Sequence, residues 1–306
     1  MSFINNLLGK TEEQRKKNLI MAIYITIVVV LILTIAIITT LIADNTDKLQ
    51  GDLPDDTLEQ SAEPVTKEFD INDTKKGTLL VVNENTDEYD FTLNPESELK
   101  QMSVNIPKVD GVDAYTLKDN SFKANGEALS AFNNMAKAFV AQSTTDKNLT
   151  VWDAYRTLAK QSEGGSVPAG HSDFHTGMLF WLTIDDTETS ISTDSSFDWI
   201  YDNAYKYGFI ERYPEAKSSE TGVSDFDNAF RYVGVAHATY MKENNLCLEE
   251  YVKLLQNSNG TALTAGEYSI TYAKINASGK TEVALPSASA TVSGDNMGGI
   301  IITSKN

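Results

Sequence analysis

The sequence has one cysteine, three histidines and fewer basic than acidic residues, and each shortage excludes a class of protein. Cys247 alone can form no internal disulfide and supply no cysteine-rich zinc site. Of the formal charge of −18, the segment up to Lys17 carries +2, which leaves −20 for the rest of the 306 residues. Because so acidic a body repels nucleic acid and anionic lipid, the sequence predicts no nucleic-acid partner.

Charge is absent altogether from Asn18 to Ala43, and the run from Leu19 onward is almost wholly apolar. As a helix it would span roughly 37 Å, more than the ~30 Å hydrocarbon core of a bilayer. A cleaved signal peptide is the alternative, but its apolar region would be only about 7–15 residues long. Because basic residues precede the run and acidic residues follow it, we expect a single-pass cell-membrane anchor with a cytoplasmic N-terminus and an extracellular main domain.

Composition changes twice after this segment. A polar, acidic stretch with Gly51, Pro54 and Pro64 is typical of a flexible stalk, and after Gln256 short strand-like runs alternate with Asn-Ser-Gly clusters. The predicted parts are a cytoplasmic basic segment (1–18), a transmembrane helix (19–43), an acidic stalk (44–76), a main domain (77–256) and a small β-rich C-terminal appendage (257–306).

The main domain mixes helical and strand patterns without a regular alternation. Apolar residues at helical spacing predict a helix over 127–142, and further helices are predicted over 233–243 and 248–255. Extended runs are predicted over 78–83 and 149–155, with Arg156 at the end of the second. The pattern predicts an α+β fold with a mixed or antiparallel sheet flanked by helices.

Several ordered segments resemble one enzyme family. They are Ala154-Tyr155-Arg156-Thr157 with Gln161, the stretch from Asn203 to Pro214, and Arg231-Tyr232-Val233-Gly234. Together they resemble the VanY-type D-alanyl-D-alanine carboxypeptidases, zinc enzymes that trim peptidoglycan stem peptides in bacteria. The resemblance covers about residues 77–255 and implies a carboxypeptidase-like domain that acts at the cell wall.

The residues that the resemblance assigns to zinc and catalysis are replaced. In the family motif S-x-H-x-x-G-x-A-x-D, Ser172 fixes the register, so Phe174 stands at the His position and Trp181 at the Asp position. In the second motif, E-P-W-H, Phe226 stands at the Glu and Ala229 at the His. None of these four side chains can ligate zinc or serve as a base. We therefore expect no zinc and no other cofactor, and a domain that is inactive as an enzyme.

The three histidines offer an alternative metal site. His171 and His175 lie four residues apart with Asp173 between them, and His237 lies in a predicted helix. The segment around His175 is predicted to be a loop entering a strand, where these side chains diverge. The alternative interpretation is that all three are surface or half-buried polar residues.

Residues that could still contact substrate survive. An arginine fork binds carboxylates in bidentate fashion, so Arg156 is the first candidate, followed by Gln161, Ser172 and Arg212. A structural ion pair within the acidic domain is the alternative for the arginines. The aromatic residues at the former metal positions either fill the old cavity or line a groove.

Three functions remain open from the sequence. The first is a membrane-anchored pseudopeptidase that binds cell-wall stem peptide or a surface protein without cutting it. The second is an active D-alanyl-D-alanine carboxypeptidase with an unrecognised ligand set. The third is a structural component of a surface assembly, in which the old groove is closed.

Overall fold

The computed structural model describes residues 64–104, 106–224 and 226–306, and residues 62–306 form one compact unit. The predicted cytoplasmic segment, transmembrane helix and most of the stalk lie outside the described residues. Among the residues that are described, no helix is both long and apolar enough to cross a membrane.

The described chain contains strands and helices in irregular order, with short 3-10 turns between them. The strands are β1 (Val65–Phe69), β2 (Lys100–Gln101), β3 (Lys108–Val109), β4 (Val112–Asp113), β5 (Thr116–Leu117), β6 (Lys123–Ala124), β7 (Leu149–Asp153), β8 (Leu179–Ile184), β9 (Phe209–Glu211), β10 (Ala229–Tyr232), β11 (Leu263–Ala265), β12 (Tyr268–Lys274), β13 (Thr281–Leu285), β14 (Thr291–Gly294) and β15 (Gly299–Lys305). The helices are α1 (Gly126–Gln142), α2 (Leu158–Gly164), α3 (Asp198–Asn203), α4 (Ser218–Thr221), α5 (Val235–Glu243) and α6 (Leu248–Gln256).

The central sheet has five strands in the order β5-β7-β8-β10-β9. β5 and β7 are parallel, whereas the other neighbours are antiparallel. The apolar stripe of α1 packs on one face, where the Phe132 ring stacks on the Phe180 ring of β8 with centroids 4.7 Å apart. The prediction of an α+β fold with a mixed sheet and flanking helices is confirmed.

The C-terminal strands share a hydrophobic core with the helices before them. β11, β12, β15 and β14 form a four-stranded sheet, and Ile270 and Ile301 of this sheet lie in one buried cluster with Tyr251 and Leu255 of α6. Packing is therefore continuous across the predicted boundary at residue 257.

The end of the predicted stalk is ordered. Residues Val65–Phe69 form β1, which pairs with β13 over five residues in antiparallel register, and a 3-10 turn over Ile71–Lys75 follows. Order thus begins before residue 77, the expected start of the main domain.

The segment 78–83 is buried but is not a strand. Leu79 and Val81 are at most 1% exposed, as their apolar character predicts. Their backbone N–H groups donate to the Ser293 hydroxyl (2.8 Å) and to the Asp295 carbonyl (3.2 Å), which lie in β14 and the turn after it. Because its hydrogen-bond partners belong to a side chain and a turn, this segment forms no ladder, and the strand prediction was wrong here.

A tight turn carries the candidate site into the central sheet. A 3-10 turn over Asp173–Thr176 ends at Gly177, whose φ of 65° lies in the left-handed region that glycine adopts without strain. A Cβ at this position would stand 2.9 Å from Leu99 Cδ2 and 3.1 Å from the Asn125 backbone nitrogen. Only glycine fits at this position. The turn that it ends leads directly into β8.

Candidate functional site

A groove of about 330 Å³ opens beside Arg156, and it is lined by residues of α2 and the loop after it, of β8 and of the segment before β10. It brings together six of the eight residues singled out in the sequence. These six are Arg156, Gln161, Ser172, Phe174, Trp181 and Phe226. Arg156 is the one charged side chain among the described residues that line it.

Arg156 is held rigidly at the groove wall. Its Nε donates to Asp153 Oδ2 (2.8 Å), and its Nη1 donates to Gln161 Oε1 (3.1 Å). The guanidinium carbon lies over the Phe174 ring, 3.9 Å from the centroid. A guanidinium fixed in this way is preorganised for an anion, although the neighbouring Asp153 carboxylate offsets part of its charge.

Gln161 positions Arg156 and the loop that forms the groove rim. Besides accepting from Arg156, the Gln161 amide donates through Nε2 to the Val167 carbonyl (2.7 Å). The side chain is 2% exposed, and a Cβ at Gly165 would come within 1.8 Å of its Nε2. Gln161 is therefore engaged at both ends of its amide, so it supports the site instead of offering a free polar group.

Ser172 lines the groove at the start of the 3-10 turn that carries Phe174. It is 4% exposed, and its hydroxyl makes no capping hydrogen bond to that turn. Ser172 thus lines the groove, and its role as a substrate-binding residue stays a prediction.

Phe226 stands at the centre of an aromatic cluster formed by Phe174, Trp181, Tyr213 and Phe226. Its ring meets Trp181 edge-on with centroids 5.1 Å apart, stacks on Tyr213 at 5.7 Å and contacts Phe174 at 6.1 Å. Such ring pairs stabilise a structure by about 0.5–1.5 kcal/mol each beyond the area that they bury. The cluster both packs against itself and lines the groove, so the two roles expected from the sequence coexist.

Ala229 lies beneath this cluster instead of in the groove. It is fully buried in β10, directly across from Trp181 of β8 in the antiparallel register. Residues opposite each other in such a pair point to the same face of the sheet, so a small side chain at 229 leaves room for the indole of Trp181. The indole Nε1–H is buried and has no hydrogen-bond partner among the described residues.

The residues at the family's metal positions do not fit zinc. A catalytic zinc needs three protein ligands with lone pairs, and Phe174, Trp181 and Ala229 carry none. Within the described ranges no group of three or more His, Cys, Asp and Glu residues could hold a metal ion.

Protein contacts occupy the nitrogens of His175 and His237. His175 Nε2 accepts from the Gly170 backbone N–H (3.0 Å), so its Nδ1–H donates to the Arg156 carbonyl (2.7 Å). Burial lowers the pKa of His175 and keeps the ring neutral. His237 bridges Tyr251 and Thr303 through its two ring nitrogens.

Asp173 is engaged in a buried ion network behind the groove. Its carboxylate accepts from Arg212 Nε (2.5 Å) and Arg231 Nε (2.9 Å), and Arg212 also binds Glu249 in bidentate fashion at 2.7 and 2.9 Å. Burial alone would raise the pKa of Asp173, but Arg231 and Arg212 outweigh it and hold that pKa below its usual range.

Arg212 therefore lies elsewhere than the sequence placed it. Its side chain is 0% exposed and is not among the described residues that line the groove. The alternative of a structural ion pair describes Arg212, whereas Arg156 both forms an ion pair and lines the groove.

Comparison with known proteins places this site in a family. The family model for VanY, D-alanyl-D-alanine carboxypeptidase, matches residues 159–235. A D-alanyl-D-alanine carboxypeptidase of Enterococcus faecium is 30% identical over 239 residues, which cover 74% of this chain and 75% of that relative. The chain belongs to the VanY family. A second VanY-like relative, the D-alanyl-D-alanine carboxypeptidase of Enterococcus faecalis (strain ATCC 700802 / V583), is 28% identical over 195 residues, or 58% of this chain and 72% of its own length.

The fold of this VanY-family chain is also found among solved structures. The vancomycin-resistance D,D-dipeptidase VanXYg, crystallised with a phosphinate analogue of D-Ala-D-Ala, superposes with a TM-score of 0.65. The likeness covers 79% of this chain and 99% of that one at 22% identity, and it shows a shared fold.

Sequence reasoning missed two residues that matter to the VanY-like site. Tyr213 completes the aromatic cluster and lines the groove, and Asp153 holds Arg156. The signal for Asp153 was present, because an acidic residue three positions before an arginine at a strand end can pair with it. Tyr213 lies within the segment from Asn203 to Pro214 that resembles the family. Nothing in the sequence shows to which side of the chain its ring points.

Proposed function

We propose that this VanY-family chain is a membrane-anchored, non-catalytic protein whose groove binds the C-terminal end of a cell-wall stem peptide. The observation that carries the proposal is an open groove that keeps a fixed guanidinium while apolar side chains occupy the family's metal and base positions. Binding and catalysis are thereby separated, because the surviving groups can hold a carboxylate but cannot ligate zinc.

The lining of the groove supports binding without cleavage. Hydrolysis of an amide needs a group that takes a proton from water within hydrogen-bond reach of the scissile bond. No carboxylate or histidine stands among the described lining residues, and Phe226 occupies the position of the family's glutamate. A groove of this composition offers contacts to methyl groups and to one terminal carboxylate.

The expected affinity is low. A charged hydrogen bond contributes about 1.5–3 kcal/mol net, whereas a millimolar dissociation constant corresponds to about −4.1 kcal/mol. Asp153 already offsets part of the charge of Arg156. The acidic body also repels an anionic peptide, so binding should strengthen as salt rises within a moderate range.

Titration of the full chain in detergent micelles with a pentapeptide ending in D-Ala-D-Ala tests the proposal. Trp181 lines the groove, so tryptophan fluorescence should report binding. Arg156→Ala should abolish the response, whereas Lys108→Ala, which removes a cation paired with Asp113 at 2.7 Å outside the groove, should leave it unchanged.

The same preparation distinguishes the other functions. About one zinc per chain together with release of D-alanine would establish an active carboxypeptidase and overturn the proposal. The absence of any response at roughly tens of millimolar peptide, where even this low affinity should give partial binding, would favour a surface-protein partner or a structural role.

A further inference from the structure

A second cavity, of about 340 Å³, lies on the other side of the segment that carries Arg156. The stretch 153–164 forms a wall between the two spaces. Arg156 and Gln161 line the groove, whereas Asp153, Tyr155 and Lys160 line the second cavity. The site for a peptide end thus has an immediate neighbour that the proposed function does not use.

Two carboxylates that line the second cavity are neutralised by direct ion pairs. Asp153 accepts from Arg156 at 2.8 Å, and Glu96 accepts from Lys123 at 2.7 Å. Neither carboxylate is left over to attract a cation, and Lys123, which also lines this cavity, is paired with Glu96.

The third carboxylate, Asp119, is also compensated. Its Oδ1 accepts from the Ser121 backbone N–H (2.8 Å), and this hydrogen bond, followed by the charge of Lys160, lowers the pKa of Asp119. The cavity therefore has many hydrogen-bonding groups but little net charge, which favours a neutral polar ligand.

Two half-buried rings complete the lining. Phe122 and Tyr155 both border the cavity, and the Tyr155 hydroxyl is a hydrogen-bond donor at neutral pH. Rings that offer an apolar face beside hydroxyl, ammonium and carboxylate groups match the alternating apolar and hydroxyl surfaces of a sugar.

We propose that this second cavity binds a sugar unit that is joined to the peptide held in the groove. The inference rests on the proposed function, since the peptide end is taken to lie beside Arg156. Five residues extend to at most about 17 Å, whereas a helix with its side chains is about 10–12 Å across. A stem pentapeptide is therefore long enough to cross the wall formed by the segment 153–164.

Three probes test the inference on the full chain in micelles. They are the free stem pentapeptide, the same pentapeptide attached to its N-acetylglucosaminyl-N-acetylmuramyl disaccharide, and the disaccharide alone. The attached disaccharide should tighten binding about 10-fold, equivalent to 1.4 kcal/mol. Tyr155→Ala and Lys160→Ala should each remove most of this advantage and leave the affinity for the free pentapeptide unchanged.

Two controls exclude a general effect of substitution. Tyr155→Phe keeps the ring and should retain more of the advantage than Tyr155→Ala, and Lys108→Ala should retain all of it. Thermal melting of each variant shows whether the fold is intact, and Lys160→Ala serves if Tyr155→Ala does not fold, because Lys160 is exposed.

The outcomes for the two proposals are separable. Equal affinity for the two pentapeptide probes in the wild-type chain, or an advantage that both substitutions leave intact, would overturn the inference. A different outcome would be binding of both disaccharide probes without binding of the free pentapeptide, with Lys160→Ala abolishing that binding. It would support the sugar cavity and contradict the proposed peptide groove.

Discussion

At the scale of single residues, Phe174 is a structural support for Arg156. The ring lies beneath the Arg156 guanidinium and is itself 4% exposed. A guanidinium over an aromatic face gains about 0.5–2 kcal/mol, depending on its exposure to water. The position that the family resemblance assigns to a zinc ligand thus supports Arg156, the one charged side chain among the described residues of the groove.

Restoring polar side chains at two of these positions should destabilise the fold. In Phe174→His/Trp181→Asp, two polar groups replace apolar packing in the aromatic cluster, and each unpaired group costs about 1–3 kcal/mol. For a domain of this size we expect the melting temperature to fall by about 10 °C. Melting of the full chain should be followed by circular dichroism with chelator present.

An apolar pair provides the control. Phe174→Leu/Trp181→Phe introduces no polar group, and it also removes the buried indole N–H that has no partner among the described residues. This variant should melt within a few degrees of the parent. Equal melting temperatures for the polar pair and the parent would mean that both side chains face water.

At this scale, a contact could be predicted from the sequence only when few residues separate the two side chains that form it. Six of the site residues line one groove, and they were singled out through the family resemblance and not through any periodicity in the sequence. Asp173 and Arg231 are 58 positions apart, and Asp173 and Arg212 are 39 apart. No periodicity relates such positions, so the burial of Arg212 could not be foreseen.

At the scale of elements, His237 joins three of them. It lies in α5, its Nδ1 is 2.7 Å from the Tyr251 hydroxyl of α6, and its Nε2 is 3.0 Å from the Thr303 hydroxyl of β15. Burial lowers the pKa of His237 to about 4, well below its ordinary value of about 6.5. This neutral imidazole connects the helices to the C-terminal sheet.

Acid should therefore weaken this connection. Between pH 6.5 and 4 the unfolded chain binds a proton at residue 237 and the folded chain does not, so stability falls as pH falls through this range. The shift corresponds to a loss on the order of 3 kcal/mol. Urea denaturation at pH 7 and pH 4.5 should show a smaller difference for His237→Gln than for the parent. Identical differences would show that His237 does not titrate in this way.

Helices and strands could be predicted where a single segment has its own hydrophobic periodicity, as α1 does. The residues 78–83 were misassigned because apolar character reports burial but not the identity of the hydrogen-bond partner. The boundary at residue 257 was drawn from a change in composition, whereas Ile301 and Tyr251 share one cluster across it.

At the scale of the whole molecule, charge is unevenly distributed along the chain. The segment before residue 18 is basic, and the part after Ala43 carries −20. This asymmetry is the basis for proposing that Leu19 to Ala43 spans the membrane with the groove outside.

Protease added to intact cells tests this topology. The chain after Ala43 should be degraded while the first residues, detected by an N-terminal tag, survive. A control with lysed cells should lose both parts. A main domain that stays protected until lysis would contradict an external location.

The pairing of β1 with β13 gives the chain a mechanical property. If the chain is held by a membrane at one end and by the wall at its groove, tension enters the folded part through β1. The five residue pairs between β1 and β13 would then be loaded before the hydrophobic cores that support the groove are loaded. A strand that begins six residues before the 3-10 turn would then be the first element to carry load, and its rupture force would set how firmly the wall and membrane stay coupled.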